Sequence, residues 1–339
     1  MLVVMKTDAT RHEVEAVVRV ITELGFRAHV MPGPTRTAIG ITGNSDAVDG
    51  SCFESMHGVE EAISVSKPYK LVTLDLKPDR TIVRIGDVSI GDGGLAIIAG
   101  PCAVGSREQT FAAAEIVMRS GAQFFRGGVF KTPIPQTAST GLAGEGLVIL
   151  EEVRKRYGLK IVTEAVDERT LELIEPYADV IQIGARNMQN FSLLRRAGRS
   201  RLPVLLKRGL AATVEEWLLA AEYVMSEGNY NVILCERGIR TFSDETEETL
   251  DLGAIPAVRG ISHLPLVVDP SHGAGKNYLV APLARASAAV GVDGLLVEVN
   301  MPSSAGILSR QELTLEQFTH LVYDVRAIHR VVTAGTGIS

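Results

Sequence analysis

The sequence predicts an α/β fold: a (β/α)8 TIM barrel preceded by a small α+β ferredoxin-like domain. Two observations carry this. From residue 95 onward, eight short apolar runs alternate with helical patterns, and strands that are apolar throughout mark a parallel sheet covered by helices. Ahead of them, the first 66 residues hold a βαββαβ order of their own. Eight β-then-α units in about 245 residues fit a closed barrel. An open doubly wound sheet would show a Gly-rich phosphate fingerprint after its first strand, and "AGPCAVGS" is not one.

The elements follow in order. "LVVMK" reads as a strand and "TRHEVEAVVRVITELG" as an amphipathic helix closed by Gly25. "RAHVMPG" and "RTAIGITG" are two further strands, and "AVDGSCFESMHGVEEAISVS" supplies a second helix and a last strand. The expected divisions are residues 1–66 for the ferredoxin-like domain, 67–92 for a linker and hairpin, and 93–339 for the catalytic barrel. The linker is "KPYKLVTLDLKPDR", and the hairpin arms are "TIVRIG" and "VSIGDG". The barrel strands are "LAIIAG", "AQFFRGG", "LKIVTEA", "DVIQIGAR", "PVLLKRG", "NVILCERG", "PLVVDPSH" and "DGLLVEVN".

Composition narrows the function. Hydrophobic residues make up 46% and charged residues 22% of 339, a globular balance. The net charge of −6 offers no basic excess for a nucleic-acid partner. No apolar run approaches the roughly 20 residues of a membrane span, and the first residues lack the zones of a signal peptide. Three widely spaced cysteines, Cys52, Cys102 and Cys235, fit a reduced cytoplasmic protein.

Active sites of such barrels form at the C-terminal strand ends, and polar residues fall there strand after strand. The ends carry Cys102; Arg126 and then Lys131; Glu164; Arg186; Lys207 with Arg208; Glu236 with Arg237; Asp269 with His272; and Glu298. Singly, each cation is as well read as a surface charge or an ion-pair partner. Together, Arg126, Lys131, Arg186, Lys207 and Arg237 would repel one another, so they imply a compact polyanion such as phosphate plus carboxylate. Cys102, His272 and Glu298 offer a thiolate, an imidazole and a carboxylate, a donor set for a divalent transition metal. Cys102 alone would more often be a small buried hydrophobe. That reading is taken for Cys235, inside an apolar run, and Trp217 reads as packing.

The motifs "IIAGPC", "RGGVFK", "QIGARNMQN", "LLKRG", "WLLAAEY", "NVILCERGIRTF", "VVDPSH" and "LLVEV" resemble the 3-deoxy-arabino-heptulosonate-7-phosphate (DAHP) synthase family. The likeness is to its compact branch, related to 3-deoxy-octulosonate-8-phosphate synthases, and it runs over almost the whole chain. The resemblance implies condensation of phosphoenolpyruvate with erythrose 4-phosphate in the shikimate pathway of aromatic amino acid biosynthesis. It implies that the five cations hold phosphoenolpyruvate, with Glu164 nearby, and that Cys102, His272 and Glu298 are three of four metal ligands. The ion would be of the Mn, Fe, Co or Zn type. Lys131, Asp269 and Glu164 are the candidates for proton handling. A homo-oligomer, tetrameric in the family, is implied as well. The N-terminal domain would either bind an aromatic amino acid as a regulator or serve oligomerisation.

Two stretches depart from the family pattern. The usual Lys-Pro-Arg-Thr-Ser becomes "KTPIP" from Lys131, without the arginine that helps hold the aldehyde. After Glu298 comes "VNMPSSAGILSRQEL", with Ser309 or Arg310 where the family has its fourth ligand, an Asp, and Glu312 as the nearest carboxylate. These departures predict weaker metal binding. They leave two alternatives to the family reaction: a relative using another electrophile, and a catalytically reduced phosphoenolpyruvate-binding or regulatory protein.

Overall fold

The computed structural model describes residues 1–33, 36–43, 50–63, 69–130, 140–299 and 311–335. The N-terminal unit runs β1 (Leu2–Met5), α1 (Arg11–Glu23), β2 (Arg27–Pro32), β3 (Thr37–Thr42), α2 (Ser51–Glu54) and β4 (Val59–Ile63). Its antiparallel sheet has the order β2-β3-β1-β4. Thr10 caps α1: its hydroxyl accepts from the Glu13 amide while the Glu13 carboxylate accepts from the Thr10 amide, a reciprocal box that satisfies two otherwise orphaned donors. Val17 and Ile21 on the inner face of α1 pack with Val3, Ile39, Ile41 and Phe53.

A hairpin follows, β5 (Val83–Ile85) paired with β6 (Val88–Ile90). The remaining chain alternates strands and helices: β7 (Ala96–Gly100), α3 (Arg107–Arg119), β8 (Phe124–Arg126), α4 (Thr140–Tyr157), β9 (Lys160–Ala165), α5 (Glu168–Ile174) and β10 (Val180–Ile183). Then come α6 (Phe191–Gly198), β11 (Val204–Lys207), α7 (Val214–Ser226), β12 (Val232–Glu236), α8 (Ala254–Arg259), β13 (Leu266–Val268), α9 (Pro270–Ala274), α10 (Asn277–Ala289), β14 (Gly294–Glu298) and α11 (Leu315–Gly335). Strands β7 to β14 close into a parallel barrel.

Side chains alternate across a strand, and here the alternation sorts the core. Ala96, Ile98, Phe124, Val162, Val180, Leu205, Ile233, Cys235, Val267 and Leu296 fill the barrel interior, joined by Val83, Ile85 and Ile90 of the hairpin. Residues of the opposite parity, such as Ile97, Phe125, Ile161 and Leu206, pack outward against the helices. Cys235 is a buried member of the interior core; burial pushes its thiol well up from the ordinary range. Trp217 is also buried, and its Nε1 donates to Leu206 O at 3.2 Å.

The N-terminal unit is not packed apart from the barrel. Leu2, Val4, Met31 and Ala38 join Leu71, Val72 and Leu76 in the large outer core. The Glu222 carboxylate on α7 accepts from the amides of Leu71 and Val72 at 3.0 and 3.2 Å. His29 bridges Tyr230 Oη at 2.8 Å and Thr42 Oγ1 at 2.7 Å.

Candidate active site

The same alternation builds the site. Two positions beyond an interior residue, a strand again faces inward. Phe124 leads to Arg126, Val162 to Glu164, Val180 to Gln182, Leu205 to Lys207, Cys235 to Arg237, Val267 to Asp269 and Leu296 to Glu298. Cys102, Arg126, Glu164, Arg186, Lys207, Arg237 and His272 line one cavity of about 380 Å³ at this end of the barrel. Arg186 reaches it from a single 3-10 turn, Ala185–Asn187, just past β10.

Two residues at strand ends have the opposite parity and turn away. Arg208 is buried behind the barrel wall, 2.9 Å from both Glu236 and Asp251. Glu236 is fully buried and also accepts from the Gly238 amide at 2.7 Å. Their role is to tie β11, β12 and the following loop together.

The cations are mostly paired within the protein. Arg126 Nη1 lies 2.6 Å from Glu298 Oε1, and Lys207 Nζ lies 2.5 Å from Asp269 Oδ2. Arg237 Nη1 lies 2.9 Å from Glu248 Oε1. Arg186 has no ion pair among the described residues. Burial opposes the charge on Arg126, but Glu298, Cys102 and Asp269 outweigh it and raise its pKa. Burial likewise opposes ionisation of Glu298, and His272 and Arg126 overcome it, holding the carboxyl at about 2.

The donor set fits a metal ion. Ligand atoms of Cys102, His272 and Glu298 all lie within 4.8 Å of one another. Asp269 sits behind His272, its Oδ2 2.7 Å from Nδ1, and its Oδ1 accepts from the His272 amide at 3.0 Å. With Nδ1 engaged by Asp269, Nε2 is the ring atom left for an ion, and it lies 3.3 Å from Glu298 Oε1. A carboxylate that fixes the imidazole in this way is the usual support of a metal-binding histidine. Desolvation pushes the Asp269 pKa up, but His272 and Lys207 outweigh it and hold this carboxyl well below its ordinary range.

Several residues of the cavity were not foreseen. Gln182 Nε2 donates to Glu164 Oε2 at 3.1 Å, and Gln311 Nε2 donates to Glu298 Oε2 at 2.7 Å. Glu247 and Glu248 line the same cavity. Strand parity is the signal that finds Gln182; Gln311, Glu247 and Glu248 lie on loops, where no periodicity points to them. Glu312 is buried and lies outside the Cys102–His272–Glu298 group. Lys131 with the rest of the "KTPIP" segment, and Ser309 and Arg310, fall outside the described residues.

Comparison with known proteins places the chain. The profile of the DAHP synthase ferredoxin-like domain matches residues 1–67. A phospho-2-dehydro-3-deoxyheptonate aldolase of Thermotoga maritima is 45% identical over 329 residues, 97% of each chain. A 2-dehydro-3-deoxyphosphooctonate aldolase of Syntrophotalea carbinolica is 30% identical over 75% of this chain and 98% of its own. The crystal structure of a Thermotoga maritima phospho-2-dehydro-3-deoxyheptonate aldolase superposes with a TM-score of 0.76 at 44% identity, covering 98% of both chains. A truncated form of the 3-deoxy-D-arabino-heptulosonate 7-phosphate synthase from that organism gives 0.72 at 45% identity, over 78% of this chain and 98% of its own. With the barrel matched by the DAHP synthetase I profile over residues 66–330, the chain belongs to the DAHP synthetase I family.

Proposed function

We propose that this protein condenses phosphoenolpyruvate with erythrose 4-phosphate, giving the seven-carbon 3-deoxy-2-keto sugar acid phosphate and inorganic phosphate. The observation that carries this is the meeting of Arg126, Arg186, Lys207 and Arg237 with Cys102 and His272 in one cavity, with Glu298 buried beside those two donors. Family membership and the name of the Thermotoga relative support it.

In this reading the cations, with Lys131, bind the phosphate and carboxylate of phosphoenolpyruvate and offset the charge that builds as the bond forms. C3 attacks the aldehyde carbon, water adds at C2, and the C2–O bond to phosphate breaks. Cys102, His272 and Glu298 would hold a divalent ion, and such an ion would supply Lewis-acid polarisation of the aldehyde carbonyl. Asp269 keeps the proton on Nδ1 of His272 and so positions that donor. Glu164 takes the proton released when water adds; its carboxylate faces the cavity and is oriented by Gln182. A homotetramer and a cytoplasmic location complete the proposal, the latter supported by cysteines that are few and widely spaced in the sequence.

A second reading keeps phosphoenolpyruvate and changes the aldehyde. It is favoured by Gln311, which sets an amide and not a carboxylate beside Glu298, and by Glu247, which adds negative charge to the cavity wall. The test is phosphate release from phosphoenolpyruvate by metal-loaded protein, run with erythrose 4-phosphate and with unphosphorylated erythrose. Faster release with the phosphorylated sugar supports the first reading, and the reverse order supports the second. Release with neither, nor with a panel of other aldehydes, despite binding of phosphoenolpyruvate, would leave a binding protein.

A further inference from the structure

We propose that the Glu248 carboxylate stands in for the phosphate of phosphoenolpyruvate at Arg237, and that its displacement sets the affinity for that substrate. The inference rests on the reading above, in which Arg237 belongs to the phosphate clamp.

The Arg237–Glu248 pair differs from the other ion pairs of the cavity. Arg126–Glu298 and Lys207–Asp269 are hydrogen-bonded, with side chains at most 5% exposed. Arg237 and Glu248 approach to 2.9 Å with 11% of each side chain exposed, yet Arg237 Nη1 is a buried donor with no hydrogen-bond acceptor among the described residues. Glu248 thus balances the charge of Arg237 without meeting its N–H directions. Buried donors are rarely left so. A phosphate presents three oxygens to such a fork and satisfies it where a single off-axis carboxylate oxygen does not.

The backbone around the pair is shaped to admit Glu248. Gly238, next to Arg237, has φ +94°, and a Cβ there would lie 2.9 Å from the Glu248 Cβ. The segment carrying Glu248 is lightly held. Residues 241–245 are exposed, Phe242 completely so. Its ties among the described residues include the Ile239–Thr249 bridge, Arg240 N donating to Leu210 O at 2.7 Å, a Thr241–Thr249 hydroxyl contact at 2.6 Å, and Lys276 Nζ donating to Glu245 O at 2.5 Å. Few buried contacts make a segment cheap to shift. Phosphate and Glu248 are both anions competing for one guanidinium, so bound substrate drives the carboxylate away. The unliganded clamp meanwhile keeps its cation balanced.

The experiment is calorimetric titration of phosphoenolpyruvate into the full-length, metal-loaded protein, unmodified and as Glu248→Gln. Glutamine keeps the shape and removes the charge, so Kd should fall by roughly tenfold, with KM for phosphoenolpyruvate falling in parallel and kcat not rising. Glu248→Asp, which keeps the charge, should leave binding much closer to that of the unmodified protein, and it serves as the second variant if the glutamine form fails to fold. An unchanged or weaker affinity in Glu248→Gln, or binding as tight in Glu248→Asp as a neutral residue would give, overturns the proposal, because Glu248 would then be orienting Arg237. Absence of phosphoenolpyruvate binding by the unmodified protein would overturn the functional reading itself, and the stand-in with it.

Discussion

Arg126 Nη1 donates to Glu298 Oε1 at 2.6 Å, so the anion clamp and the metal-donor cluster share one buried ion pair. Glu298 is fully buried and Arg126 nearly so. Removing one member of such a pair strands a charge in the interior. Glu298→Ala should lower unfolding free energy by roughly 3 to 5 kcal/mol, measured by urea titration. Arg126→Met with Glu298→Gln together should cost much less, because neither leaves an unpaired charge.

Gly184 gives the site a second test. A Cβ at this position would lie 2.1 Å from Glu164 Oε1, and its φ of −69° is open to any residue. Gly184→Ala should therefore fold normally while pushing the Glu164 carboxylate out of place. Turnover should fall by about a hundredfold, as a misplacement near 1 Å can cause, with Tm little changed. Steady-state kinetics and a melting curve check this.

His263 predicts an acid limb in the stability profile. Its Nε2 donates to Leu71 O at 2.7 Å and its Nδ1 accepts from Thr81 Oγ1 at 2.8 Å. Burial, aided by the charges of Lys77 and Arg80, pushes the imidazole down to about 4. As pH falls the unfolded chain takes up the proton first, so this contribution is complete above about pH 6.5 and is lost between there and about 4. The loss should be on the order of 3 kcal/mol, seen as a falling Tm. His263→Gln should be less stable at neutral pH and should flatten that part of the profile.

We propose the domain division 1–66, 67–92 and 93–339. A chain beginning at residue 67 should fold and bind phosphoenolpyruvate but melt at lower temperature. Truncation uncovers Leu71, Val72 and Leu76, which pack with Leu2, Val4, Met31 and Ala38. Circular dichroism melts of the two chains decide; an insoluble fragment would show that the shared core is needed for folding.

Much of this molecule was legible because strand periodicity governs both core and site. The apolar runs located all eight barrel strands, and polar residues at their ends located the cavity. Parity gives the physical reason that Lys207 and Arg237, the residues assigned to the site, face inward while Arg208 and Glu236 beside them face the helices. It would also have found Gln182. Glu248 and Gln311 were not legible, since a loop has no period and its path depends on what it packs against. The same holds for the sharing of one core between the N-terminal unit and the barrel: nothing in the βαββαβ pattern says which outer face is covered.

The most direct measurement is simultaneous assay of inorganic phosphate and keto-acid product from phosphoenolpyruvate, with divalent metal, in the presence and absence of an aldehyde. One phosphate should appear per molecule of carbon–carbon condensation product, with no release without aldehyde and loss of turnover on chelation. Release of phosphate without aldehyde, or full turnover in Arg186→Ala at limiting phosphoenolpyruvate, would contradict the proposed condensation.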